Sequence, residues 1–185
     1  MIVYLHGFNS SPASGKAKLL GDHLASLGRL GEYYCPALPN SPHEAMAKVE
    51  SALVPGKSAA VTLVGSSLGG FYATYLAEKY GWKAVLVNPA VHADKLMADS
   101  LGTQTNWHTG GKWVLTKTHL AELAALYVER ITQPGRYLLL AQTGDEVLDY
   151  RDAVTYYSGA THIIEEGGDH GFSGFERHFQ TILDF

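Results

Sequence analysis

Apolar residues gather into short blocks separated by longer amphipathic stretches. The blocks lie at residues 2–5, 33–35, 60–64, 84–87, 137–141 and 162–164. Several are apolar without polar alternation, the pattern of strands covered on both faces of a sheet. Between them, the spacing predicts helices near 14–26, 44–53, 68–80, 118–130, 150–156 and 175–183. In 68–80, Leu68, Tyr72, Tyr75, Leu76 and Lys79 recur at helical intervals, and Gly81 supplies a stop. Strand and helix alternate throughout, which predicts an α/β domain with a mostly parallel sheet. The 185 residues suit a single domain spanning 1–185.

One stretch breaks this rhythm. Residues 100–117 hold Gly102, Gly110 and Gly111 with Trp107 and Trp113 and show little periodicity. That is long for a connection in a compact domain, and a lid-like loop is expected. Its two tryptophans are candidate substrate contacts. The alternative is that they anchor the loop to the domain body, since large apolar rings serve either purpose.

Composition narrows the class further. With 46% apolar and 17% charged residues, a disordered chain, a disulfide scaffold and a coiled coil are all excluded. A net charge of −4 with only 14 Lys+Arg argues against a nucleic-acid partner. The lone Cys35 rules out an internal disulfide, and nine histidines without H-E-x-x-H spacing give no reason to expect a metal. No apolar run approaches the roughly 18 residues of a membrane span. The first block is too short, and lacks the basic start, for a signal peptide. A soluble, cytoplasmic protein without membrane partner is therefore expected, its oligomeric state open.

The chemistry concentrates in Gly65-Ser66-Ser67-Leu68-Gly69, between an apolar block and a predicted helix. This is G-x-S-x-G in its required strand–turn–helix context, with Ser67 at the apex. Ser66 lacks the flanking glycines. A serine hydroxyl is scarcely ionised at neutral pH and needs a base. In this arrangement an acid and then a histidine follow the serine in the chain. His170 lies in the glycine-rich 167–172 segment after the last predicted strand, where α/β proteins place reactive groups. His162 falls within a strand, His178 on a helix, and His92 and His108 precede the acid candidates. Asp145 follows Gly144 after the 137–141 strand and can reach His170; Asp149, the rival acid, precedes a helix and suits an N-cap. The first strand runs into His6-Gly7-Phe8-Asn9-Ser10, and the backbone N–H groups of Phe8 and Leu68 are candidate oxyanion donors.

On these residues the chain resembles the α/β-hydrolase superfamily, and within it the YqiA-like small esterases. The carrying segments are 6–12, 65–73, 88–90, 142–150 and 168–170, which span the whole chain. The resemblance implies an α/β-hydrolase fold with helices on both faces of a minimal six-stranded parallel sheet, without the first hairpin of larger relatives. It implies an esterase or thioesterase acting on acyl esters with Ser67, Asp145 and His170 as its triad, and it calls for no cofactor. The expected partner is a small acyl ester or thioester. An inactive binding protein on the same fold is the alternative; its hallmark, a missing triad member, is not found. A nucleotide binder is disfavoured because 65–70 carries no phosphate-loop lysine.

Overall fold

The computed structural model describes residues 1–53 and 60–185. The elements are β1 (Ile2–Leu5), α1 (Gly15–Ser26), β2 (Tyr33–Tyr34), α2 (Pro42–Leu53), β3 (Thr62–Ser66), α3 (Leu68–Tyr80), β4 (Lys83–Val87) and α4 (Ala93–Leu96). There follow β5 (Gly102–Thr105), β6 (Lys112–Leu115), α5 (Lys117–Leu126), β7 (Tyr137–Gln142), α6 (Tyr150–Tyr156), β8 (Thr161–Glu165) and α7 (Phe179–Asp184). Six strands form one sheet in the order β2-β1-β3-β4-β7-β8, with every neighbouring pair parallel. Among the described residues, no helix is long and apolar enough to cross a membrane.

Side chains along a strand point alternately to the two faces. Val3, Leu5, Leu63, Leu86 and Leu139 enter one core with Met46 and Val49 of α2, Phe71 and Leu76 of α3, and Leu123 of α5. Tyr4, Val64, Val85, Leu138 and Leu140 enter the other, with Leu20 and Leu24 of α1 and Phe179 and Ile182 of α7. Both faces are dry, which is why the strands read as unbroken apolar blocks. Each fully buried leucine stabilises the fold by roughly 1.5–3 kcal/mol.

The winding of the sheet places the site. From β1 the chain crosses to β2 at one edge, then returns to β3 on the far side of β1 and proceeds outward. The loops leaving the C-terminal ends of β1 and β3 diverge there, and α/β sheets open a binding crevice at such a switch point.

Several boundaries differ from the sequence pattern. The 60–64 block slides to Thr62–Ser66, so Gly65 and Ser66 stay in the sheet opposite Leu86 and Val87. The segment near 175–183 opens as a 3-10 turn, Phe175–His178, before α7 begins. The expected loop at 100–117 is instead an antiparallel hairpin, β5 with β6. Gly102 and Gly110 take positive φ, 112° and 69°, at its start and its turn. Thr103, Thr105, Lys112 and Val114 are exposed, so no continuous apolar face advertised these strands.

Candidate active site

Ser67 occupies the step from β3 into α3 at φ 54° and ψ −121°. A non-glycine residue held there stores about 1–3 kcal/mol of strain. The turn closes only because its glycines lack side chains. A Cβ on Gly65 would lie 2.3 Å from the Gly69 carbonyl oxygen, and one on Gly69 would lie 1.9 Å from that of Leu5. Ser67 N–H donates to Val87 O (3.1 Å), while Ser67 O accepts from Ala90 N–H (3.1 Å) and Gly70 N–H (2.9 Å). The backbone is pinned and the hydroxyl stands clear.

His170 reaches that hydroxyl from the loop after β8. Its Nε2 lies 3.0 Å from Ser67 Oγ, and its Nδ1 lies 2.8 and 3.0 Å from the two Asp145 oxygens. An ionised carboxylate only accepts, so the imidazole proton sits on Nδ1 and Nε2 is free to accept from serine. Asp145 Oδ1 also accepts from Val147 N–H (2.8 Å) and Leu148 N–H (2.9 Å), and its side chain is 2% exposed. Burial alone would raise its pKa; the His170 bond and the two N–H groups outweigh that and hold it below the ordinary aspartate value. Asp149 caps α6, accepting from Arg151 N–H at 2.9 Å, and does not touch His170. Asp169 takes the Ser173 hydroxyl instead, at 2.6 Å.

Three residues outside the sequence-derived set hold the His170 loop. Buried Asn88 accepts from Gln142 N–H (3.0 Å) and donates through Nδ2 to the Asp169 and His170 carbonyls (2.9 and 3.3 Å). Gln142 Oε1 accepts from Asp169 and Ser173 N–H (3.1 and 3.0 Å), and Glu146 accepts from His170 N–H (2.9 Å). Asn88 stands in one of the segments carrying the family resemblance, yet nothing local announced its partners, 81 and 82 residues away.

The loop after β1 supplies the other wall. Among the described residues, neither Phe8 N–H nor Leu68 N–H has a protein acceptor. Gly7 packs against the serine so closely that a Cβ there would be 3.3 Å from Ser67 Cβ. His6 is buried beneath. Leu38 N–H donates to its Nε2 (3.2 Å), so the proton lies on Nδ1, which donates to Gly7 O (3.1 Å). Burial pushes the His6 pKa down, against a smaller upward pull from Gly7. A neutral His6 thus braces this loop.

The hairpin is fastened to the same loop. Asn9, at φ 52°, donates to Gln104 Oε1 (3.1 Å), takes the Trp113 indole N–H on Oδ1 (2.8 Å) and takes Trp107 N–H on its carbonyl (2.9 Å). Asn106 Nδ2 adds a bond to Ser10 O at 2.7 Å, and Trp113 meets Phe8 edge-on at 5.6 Å. The tryptophans part company. Trp107, 75% exposed, lines a cavity of about 450 Å³ that also contains Ser67 and His170. Trp113 lies outside it and borders a cleft of about 30 Å³ with Leu68, Tyr72 and Met97.

Sheet order, the serine elbow after β3 and the histidine after β8 together define an α/β-hydrolase fold. Solved structures share it across nearly the whole chain. The alpha/beta hydrolase domain-containing protein 10 from mouse superposes with a TM-score of 0.75 at 19% identity, covering 99% of this chain and 88% of that one. Est1E from Butyrivibrio proteoclasticus, solved with ferulic acid bound, gives 0.69 at 12% identity, covering 100% and 86%. A monoacylglycerol lipase of Paleococcus ferrophilus gives 0.66 at 16% identity, covering 99% and 93%. At such identities the likeness is one of fold.

Within that fold, the chain belongs to UPF0227, an uncharacterised protein family that it matches over residues 1–185. A UPF0227 protein of Vibrio parahaemolyticus is 23% identical over 189 residues, covering 100% of this chain and 98% of the relative. One from Vibrio vulnificus is 22% identical with the same coverage.

Proposed function

We propose that this protein is a serine hydrolase of small carboxylic esters or thioesters, with Ser67 as nucleophile, His170 as base and Asp145 as the orienting acid. The observation carrying the reading is the unbroken path from Ser67 Oγ through His170 to Asp145, at 3.0 and 2.8 Å, on a strained elbow. In the first step, Ser67 Oγ bonds to the acyl carbon as its proton passes to His170 Nε2. The carbonyl oxygen becomes an oxyanion held by Phe8 and Leu68 N–H, and an oxyanion donor of this kind contributes about 10²–10³ in rate. Collapse breaks the bond to the leaving oxygen or sulfur, which takes the proton from His170. A water then repeats the sequence, gives its proton through His170 to Ser67, and releases the acid. Asp145 keeps the imidazole in the required tautomer throughout and stabilises its transient charge.

Every catalytic role in this scheme, from proton transfer to oxyanion binding, is filled by the protein's own groups. Hydrolysis is therefore expected to survive dialysis against EDTA. The direct kinetic check compares phenyl acetate and a short acyl thioester with wild type, Ser67→Ala and Ser66→Ala. The first variant is expected to lose turnover and the second to keep it. Turnover retained in Ser67→Ala contradicts the proposal.

A further inference from the structure

One wall of the cavity above Ser67 goes unused in that scheme. It is formed by Ser14, Gly15 and Lys16, at the start of α1. Lys16 Nζ makes one hydrogen bond among the described residues, to Gly171 O at 2.7 Å. Among the described residues, no carboxylate lies within ion-pair distance of it. The nearest acids, Asp145 and Asp169, bond His170 and Ser173 and act on Lys16 only through space. Burial pushes the Lys16 ammonium down to about 8, with Asp169 and Asp145 pulling partly against it. It keeps its charge at neutral pH.

The start of α1 is the second observation. Ser14 stands at its N-cap without capping it, so the hydroxyl takes up none of the first-turn N–H groups. The first-turn N–H groups of this 12-residue helix have no intrahelical acceptor, and the helix carries positive potential at that end. A cation with spare donors and a positive helix end therefore line the cavity of the reactive serine. An anionic group bound there meets both.

We propose that the substrates of this enzyme carry an anionic group, a carboxylate or a phosphate, bound by Lys16 at the start of α1; this rests on the reading of Ser67 as nucleophile. The anion belongs to the leaving-group half. Lys16 bonds the carbonyl of Gly171, next to His170, and His170 Nε2 is the atom that must hand its proton to the departing oxygen or sulfur.

The test uses phenyl acetate, 4-acetoxybenzoate and 4-acetoxyphenyl phosphate, which share an acyl group and differ in charge on the leaving group. Each is assayed with wild type, Lys16→Met, Lys16→Arg and Ser67→Ala. The quantity read is kcat/KM for an anionic ester over that for phenyl acetate, compared between wild type and Lys16→Met, so intrinsic leaving-group reactivity cancels. The expected ratio of ratios is about tenfold or more for the carboxylate or the phosphate ester, as for loss of a charged hydrogen bond. Lys16→Arg retains most of the preference, and the two anionic esters tell which anion fits better. A ratio of ratios near one overturns the inference. Should Lys16→Met fail to fold, inhibition of wild-type phenyl acetate hydrolysis decides: benzoate or phenyl phosphate is expected to compete better than phenol, and equal inhibition contradicts the anion site. Turnover independent of Ser67 sinks the underlying reading, whereas Ser67-dependent turnover without charge preference sinks only this inference.

Discussion

Two aspartates stand in the short connection between β7 and α6, and their surroundings give them different work. Asp145 faces His170 and accepts two backbone N–H groups, while Asp149 caps α6 and pairs with exposed Arg151. Under the proposed mechanism, Asp145→Asn misplaces the imidazole proton and lowers kcat by about 10⁴. Asp149→Ala removes a cap, lowers stability by about 1 kcal/mol and leaves kcat nearly unchanged. Steady-state kinetics alongside thermal melts check both, and the reverse pattern would move the acid to Asp149. Because the Asp145 pKa is depressed on folding, its contribution to stability is present above the ordinary carboxylate range and lost as pH falls through its folded value. Melting curves of Asp145→Asn should therefore decline less steeply on acidification than those of wild type. Asn88 acts through position. Asn88→Ala strands buried partners at about 1–3 kcal/mol each, and if it positions His170 it must lower kcat of the folded enzyme more than it raises KM. A lower melting point with unchanged kcat would make it merely structural. At this scale the meeting of Ser67, His170 and Asp145 was legible, because each lies within two residues of a glycine in a loop that follows an apolar block. Asn88 and Gln142 were not, because their bonds join loops that only the finished sheet brings together.

At the scale of elements, β5 and β6 brace the loop that presents Phe8 N–H. The hairpin escaped the sequence pattern for a physical reason: Leu115 is the one buried side chain of its two strands, and its order comes from Asn9, Ser10 and Phe8, about a hundred residues earlier. The two tryptophans should then respond differently to substitution. Trp113→Ala removes the bond to Asn9 and the contact with Phe8, and is expected to lower kcat with KM nearly constant, by less than the ~10²–10³ lost with an oxyanion donor itself. Trp107→Ala, at the exposed rim, is expected to change KM and leave the melting temperature alone. Equal effects of the two on KM would contradict this division. Helix α3, by contrast, was read to its last residue: its periodicity is regular and Gly81 closes it at φ 73°, donating to Ala77 O at 2.8 Å.

For the whole molecule, the parallel sheet follows from strands buried on both faces, and its winding sets the loops that carry Ser67, Asp145 and His170 at one edge. That much was legible because the alternation of strands and helices admits few other arrangements. The two-residue β2 was legible only as a block, since its side chains are half-buried. A site cavity of about 450 Å³ favours compact substrates, and kcat/KM is not expected to climb steadily with acyl length beyond about eight carbons. The central claim is that Ser67 is an activated nucleophile. It is tested most directly by exposing the folded protein to a fluorophosphonate and mapping the modified peptide by mass spectrometry. The account predicts one adduct, on Ser67, formed far more slowly in Asp145→Asn and absent in Ser67→Ala. Labelling that persists in Ser67→Ala, or a wild-type protein that takes no label, would contradict it.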